Sequence, residues 1–86
     1  MNIQKLAKYH NALSNEIRLK ILSLLLEKIE ECICNLSSEL EKDQSVIFRH
    51  IKLLEENHFI KTEKKGSSLF CSIVNDKKVR RILKWE

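Results

Sequence analysis

Ser45-Val46-Ile47-Phe48-Arg49-His50-Ile51-Lys52-Leu53-Leu54-Glu55-Glu56-Asn57 is the stretch whose reading decides the fold. Ile47, Ile51 and Leu54 recur at i, i+4 and i+7, the spacing of a helix with one apolar face against a core. Rotating away from that stripe gathers Gln44, Ser45, Phe48, Arg49 and Lys52. Their amide, hydroxyl, guanidinium and ammonium donors suit base edges and phosphates. Ahead of this helix, Ile33 to Glu41 reads as a shorter one with Leu36 and Leu40 inward. Asp43, Gln44 and Ser45 form the polar break between the two, and Asp43 can cap the second. Two short helices around such a break are the arrangement of a helix-turn-helix, whose second helix enters a DNA groove.

Upstream, Ile3 to Asn11 has helical spacing with Ile3, Leu6 and Ala7 on one side, and is too short to be stable alone. Ser14 is expected to cap a helix from Asn15 to about Lys28. Ile17, Ile21, Leu24 and Leu25 give that helix a core stripe, and Leu19, Leu22 and Leu26 widen it, which predicts a central position. Downstream, Phe59 to Lys64 and Leu69 to Val74 are rich in β-branched and aromatic residues. Separated by Lys65-Gly66-Ser67-Ser68, they predict a β-hairpin with a basic tip. Asn75 or Asp76 to Lys84 returns to helical spacing through Val79, Ile82 and Leu83, with an Asp suited to its start.

The expected fold class is therefore mainly α with a β-hairpin, in the order α-α-α-α-β-β-α, as one domain over residues 1–86. A helix-turn-helix followed by a hairpin is the winged variant. Gln44, Ser45, Val46, Phe48 and Arg49 are expected to face the major groove of duplex DNA. His50, Lys52, Lys61, Lys64 and Lys65 are expected to anchor its backbone.

At 86 residues the chain buries only a modest core, so a deep enclosed active site is not expected. No apolar run spans a bilayer: Ile21 to Leu26 is closed off by Lys20 and Glu27. Gln4, Lys5 and Lys8 break up the N-terminal apolar residues, so no signal-peptide core is read there, and a cytoplasmic protein is expected. Residues 1–60 hold eight Lys or Arg against nine Asp or Glu, whereas 61–86 hold eight against three. The positive surplus thus lies in the last third, which favours a polyanionic partner, a solvated Lys-rich surface being the alternative. No His stands with a nucleophile and an orienting carboxylate, so no enzyme is expected. A winged-helix protein-interaction module, with Glu27, Glu30, Glu31 and Glu39 opposing a basic partner, is the competing class.

From Ala12 to Val74 the chain resembles the ArsR/SmtB family of winged-helix repressors. Ala12-Leu13-Ser14-Asn15-Glu16-Ile17-Arg18-Leu19-Lys20-Ile21-Leu22 is similar to that family's Ala-Leu-Ser-Asp-x-x-Arg-x-x-Ile-Leu opening. Gln44 to Leu54 is similar to its Gln-Ser-Thr-Val-Ser-Arg-His-Leu-Lys-x-Leu recognition helix. The resemblance implies a homodimeric repressor that reads an imperfect inverted repeat and is released by an inducer, often a metal or metalloid ion. It also implies a dimer interface on the first and last helices, where Ile3, Leu6, Ala7, Val79, Ile82 and Leu83 are the apolar candidates; packing within one chain is the alternative. Glu41 and Lys42 stand where the family has Gly and a buried Leu, His58 replaces a Gly, and Phe48 a small Ser.

Three unevenly spaced cysteines do not make a disulfide framework, and reduced thiols are expected. Glu31-Cys32-Ile33-Cys34-Asn35-Leu36-Ser37 is similar to the family's metal box, Leu-Cys-Val-Cys-Asp-Leu-Cys, with Ser37 in place of the third thiol. No cofactor is required by this reading, and a soft metal or metalloid ion at Cys32 and Cys34 is one expectation. Structural residues and a thiol-redox switch are the others. Residues two apart on a regular helix point to opposite sides, so this pair can act together only where the backbone is not yet helical. The segment around Tyr9 and His10 offers no further Cys, and Asp76 has no histidine beside it for a second site on the last helix. Cys71 is expected to be a small buried hydrophobe between Leu69 and Ile73.

Overall fold

A computed structural model describes residues 1–84 of the chain. Helices α1 (Ile3–Leu13) and α2 (Glu16–Leu26) lead through a two-residue strand, β1 (Glu31–Cys32), into α3 (Ile33–Leu40) and α4 (Gln44–Glu56). The hairpin β2 (Ile60–Lys65) and β3 (Ser68–Ile73) follows, then α5 (Asp76–Leu83). The winged helix-turn-helix expected from the sequence is present, with one strand more. β1 pairs antiparallel with β3, giving the order β1-β3-β2, and Cys71 stands opposite both Glu31 and Thr62. Two residues are too few to show a period of two, so β1 left no pattern to read.

Asparagine starts most of these helices. Asn2, Asn15 and Asn75 each accept a backbone N–H three residues on, from Lys5, Arg18 and Lys78, at 2.9, 3.1 and 3.1 Å. The cap expected at Ser14 is thereby corrected: Ser14 closes α1, its hydroxyl donating to the Asn11 carbonyl, and Asn15 opens α2. The first turn of α5 holds Asp76 but is capped by Asn75, and Asp43 precedes α4 without a side-chain cap bond.

The core forms around α2. Ile21, Leu22 and Leu25 meet Leu36 of α3, the stripe Ile47, Ile51 and Leu54 of α4, and Phe59, Ile60 and Cys71 of the hairpin. Val79 of α5 is also fully buried here, 1% exposed. Its expected place in a dimer interface is therefore corrected, because a side chain already enclosed by its own core has no surface left for a partner. Ile82 and Leu83 pack partly against the same core. Ile3 and Leu6, by contrast, are 61% and 50% exposed, and Ala7 is exposed beside them. No helix among the described residues is long and apolar enough to cross a membrane.

Among the described residues, three adopt left-handed backbone conformations. Gly66, φ 62°, takes the first central position of the two-residue turn between β2 and β3, where a type II′ turn places glycine. The other two are Glu41, φ 54°, closing α3, and His58, φ 64°, just after α4. These are two of the positions at which the sequence departs from the family's glycines. A side chain in this conformation costs each site roughly 1 kcal/mol of Cβ–carbonyl crowding. Both side chains are exposed and lose little on removal. Glu41→Gly and His58→Gly are each expected to raise stability by about 0.5–1 kcal/mol, seen as a higher urea midpoint at unchanged m-value. A lower midpoint for both would show that these side chains make stabilising contacts.

Candidate nucleic-acid interface

The buried stripe of α4 fixes what its outer face can present. With Ile47, Ile51 and Leu54 inward, Gln44, Ser45, Phe48, Arg49 and Lys52 are exposed and Val46 is half-buried. Phe48 stays 43% exposed. Arg49 has no ion-pair partner among the described residues, whereas Lys52 lies 3.6 Å from Glu55.

His50 is occupied differently from its expected role. Its Nδ1 lies 3.0 Å from Arg18 Nη1. Arginine can only donate, so Nδ1 accepts and the neutral ring carries its proton on Nε2. Arg18 is itself fixed: Nε donates to the Ala12 carbonyl at 2.8 Å and Nη2 to that of Asn11 at 3.0 Å. His50 thus ties α4 to the end of α1, and its expected role as a backbone anchor gives way to a packing one. Burial, then the charges of Arg18 and Arg49, hold its pKa below the ordinary value.

The wing cations divide by strand alternation. Thr62 donates to Glu55 of α4 at 2.6 Å, so the face of β2 carrying Thr62 and Lys64 looks toward α4. Lys61 and Lys65 stand on the other face. Lys65 pairs there with Glu30 and lies 5.3 Å from the centroid of the Phe70 ring, and its pKa is raised, first by that hydrogen bond. Lys61 lies among Lys28, Ile29 and Glu30. Of the three hairpin lysines expected to meet phosphate, strand alternation turns only Lys64 toward the side of α4.

A cleft of about 710 Å³ lies between the start of α3, the first turns of α4 and the tip of the wing. Ile33, Phe48 and Leu69 supply apolar wall, while Gln44, Ser45 and Arg49 line its α4 side and Ser67 and Ser68 the wing. Cys32 and Cys34 are joined in a disulfide on its edge. The expectation of reduced thiols is corrected for this pair. Cys32 is the N-cap of α3, with extended φ and ψ of −71° and 141°, and the two Cα atoms lie 5.2 Å apart, within the range a disulfide spans. Cys71 is the buried free thiol, its pKa pushed up to about 11 by burial.

The donor set around this pair does not suit a three-thiolate metal site. Ser37, at the position of the third thiol, donates its hydroxyl to the Lys42 carbonyl. Glu31 is equally engaged, accepting the Cys32 N–H at 3.0 Å and the Asn35 amide at 2.7 Å and pairing with Lys28 at 2.9 Å. The hydrogen bonds from Lys28 and Asn35 hold its carboxyl below the usual range against the opposing effect of burial. A hydroxyl and a fully bonded carboxylate leave two sulfur atoms as the soft donors.

Comparison with known proteins fits this geometry. Residues 15–62, from the cap of α2 into the wing, match the family model described as bacterial regulatory protein, arsR family. The chain belongs to the arsR family. Along 94% of its length, this arsR-family chain is 36% identical to an uncharacterized HTH-type transcriptional regulator of Methanocaldococcus jannaschii, covering 90% of that protein. It is 30% identical to the arsenical resistance operon repressor of Bacillus subtilis, over 98% of this chain and 79% of the repressor. Among solved structures, a homodimeric winged helix-turn-helix DNA-binding domain from Mycobacterium bovis shares the fold at a TM-score of 0.81 and 20% identity, over 95% of this chain and 74% of that one. The chain is accordingly a transcriptional regulator and not an enzyme.

Two residues that organise the site carry little signal in the sequence. Arg18 is marked only by its match to the Arg of the family-like opening, and Glu31 only by its adjacency to Cys32. The Arg18–His50 contact sets a pH dependence. The unfolded chain binds a proton at about pH 6.5, the folded His50 only at lower pH. Its contribution is therefore complete above that value and is lost as pH falls through the depressed folded pKa. Unfolding free energy should fall as pH drops through and below about 6.5, and His50→Asn, which keeps an acceptor at Nδ1 without titrating, should flatten that limb. Equal slopes for both proteins would place the titration elsewhere.

Proposed function

We propose that the chain is a homodimeric repressor that binds duplex DNA through the outer face of α4 and is released by chemistry at Cys32 and Cys34. The observation that carries the reading is the exposed set Gln44, Ser45, Phe48 and Arg49 on a helix whose other face is locked into the core. The Arg49 guanidinium beside amide and hydroxyl groups suits guanine edges and phosphates, and the exposed Phe48 ring suits a thymine methyl. Val46 completes the major-groove face. Lys52 and Lys64 anchor the backbone on either side.

Dimer formation rests on the exposed apolar residues Ile3, Leu6 and Ala7 of α1, with Ile82 and Leu83 of α5 as the second contribution. The homodimeric description of the mycobacterial domain of the same fold supports it. A two-fold dimer reads an imperfect inverted repeat with half-sites about one helical turn, or a multiple of it, apart. The description of the Bacillus subtilis relative as an operon repressor supports repression. Its description as an arsenical resistance repressor favours a soft ion as inducer, but the two sulfur atoms here offer such an ion a poorer site than three thiolates.

Arg49→Ala is expected to cost on the order of 1–3 kcal/mol in binding to a duplex from the region upstream of the protein's own coding sequence, measured by fluorescence anisotropy. Unchanged affinity would remove Arg49 from the interface. The lysines give a second, independent reading of the geometry. If Lys64 of each protomer neutralises one phosphate, Lys64→Gln removes two contacts from the bound dimer and should make the plot of log K against log salt shallower by roughly 1.8 while leaving base preference intact. Lys61→Gln, on the far face of β2, should leave the slope as it was; the reverse pattern would turn the wing over.

A further inference from the structure

We propose that Cys34 is a thiol-exchange site for low-molecular-weight disulfides carrying carboxylates, with Cys32 as its resolving partner, and that the adduct on Cys34 fills the cleft beside α4 and displaces DNA. The last step rests on the reading of α4 as the DNA-facing helix. The exchange itself does not.

The two sulfurs are placed unequally. Cys32 is 6% exposed and serves as N-cap of α3, its Sγ accepting the Cys34 N–H at 3.1 Å, whereas Cys34 is exposed. A reagent from solvent therefore meets Cys34 first. The amide at the helix start stabilises negative charge on Cys32, which suits it to attack or leave as a thiolate. A bridge spanning one intervening residue restricts the unfolded chain little, so its use lies in chemistry more than in holding the fold. The cleft of about 710 Å³ beside it has room for a tripeptide-sized group, and Arg49 on its α4 wall attracts a carboxylate.

From the dithiol, the Cys34 thiolate attacks one sulfur of RS–SR, forming a Cys34–S–SR bond and expelling RS⁻. The Cys32 thiolate then attacks Cys34 Sγ, expelling the second RS⁻ and closing the Cys32–Cys34 bond. The protein loses two electrons and two protons, and RS–SR gains them as two RSH. In reverse, RS⁻ attacks the exposed Cys34 sulfur and Cys32 departs. While the adduct stands, its R group lies against Phe48 and Arg49.

Cys32→Ser keeps a good N-cap and removes the resolving thiol. Reduced Cys32→Ser and Cys34→Ser are treated with oxidised glutathione and followed by intact mass and peptide mapping, with cystamine as the cationic comparison. Cys32→Ser should accumulate one glutathione on Cys34 at least tenfold faster than Cys34→Ser acquires one on Cys32, and several-fold faster than it takes up cysteamine from cystamine. The glutathionylated Cys32→Ser protein should bind the upstream duplex at least tenfold more weakly than the same protein reduced. Equal modification of the two variants, or an adduct that leaves binding unchanged, overturns the proposal. If reduced protein shows no DNA binding while Cys34 is selectively modified, the DNA reading fails and the exchange site stands.

Discussion

One guanidinium ties α4, whose buried stripe sets its outer face, to the two helices that precede the helix-turn-helix. Arg18 satisfies the two carbonyls that end α1, at Asn11 and Ala12, and its remaining nitrogen reaches His50 on α4. Carbonyls at a helix C-terminus lack intrahelical donors and carry partial negative charge, so a cation placed there is doubly favourable. Arg18 is nearly buried, and a buried cation is tolerated only where its donors are matched. Here three of its nitrogens are matched by groups on two other helices. The result is a rigid joint among α1, α2 and α4, around which the hydrophobic stripe of α4 settles. Arg18 thereby adds a polar tie to the hydrophobic stripe that fixes which side chains α4 turns outward.

A second polar joint does the same for α3. Glu31 opens β1, accepts the first amide leading into α3 and the Asn35 side chain, and pairs with Lys28 just beyond α2. A carboxylate at a helix start is favoured by the same dipole that favours Arg18 at a helix end. Pairing of β1 with β3 then places this joint against the wing, so the start of α3 and the hairpin move as one. The wing is held once more at its base by Thr62 to Glu55 and near its tip by Lys65 to Glu30. Lys65 is thereby a structural cation. That leaves Lys64 as the hairpin lysine placed to act on the side of α4.

The elements legible in the sequence were those with enough length to show a period. α2, α4 and the hairpin are long and strongly patterned, and their core residues Ile21, Leu25, Ile47, Ile51 and Leu54 follow from spacing alone. The roles of polar residues were legible only where they are exposed. Arg49 and Lys64 present charge to solvent, and a sequence reading that assigns charges to the surface finds them. His50 and Lys65 are engaged by residues thirty or more positions away, which no local pattern encodes. Val79 misled for a related reason: an apolar face on a terminal helix reads the same whether it covers its own chain or a partner. The left-handed turns at Glu41 and His58 were concealed as well, since neither residue advertises a positive φ as glycine does.

The cysteine pair and the outer face of α4 border the same cleft, and that proximity decides what kind of control is physically simple here. A regulator whose effector binds far from its reading helix needs a bistable element that carries the change between the two. Cys34 needs none. Its sulfur borders the cleft lined by Phe48, Arg49 and the wing tip, the space proposed for an adduct that displaces DNA. The helix-turn-helix can then remain rigid in both states, as its two polar joints require. Replacement of the third thiol by Ser37, whose hydroxyl instead bonds the Lys42 carbonyl and steadies the turn before α4, fits the same logic. A site that gives up one soft donor to the rigidity of the reading helix is better suited to two-sulfur exchange than to three-sulfur coordination.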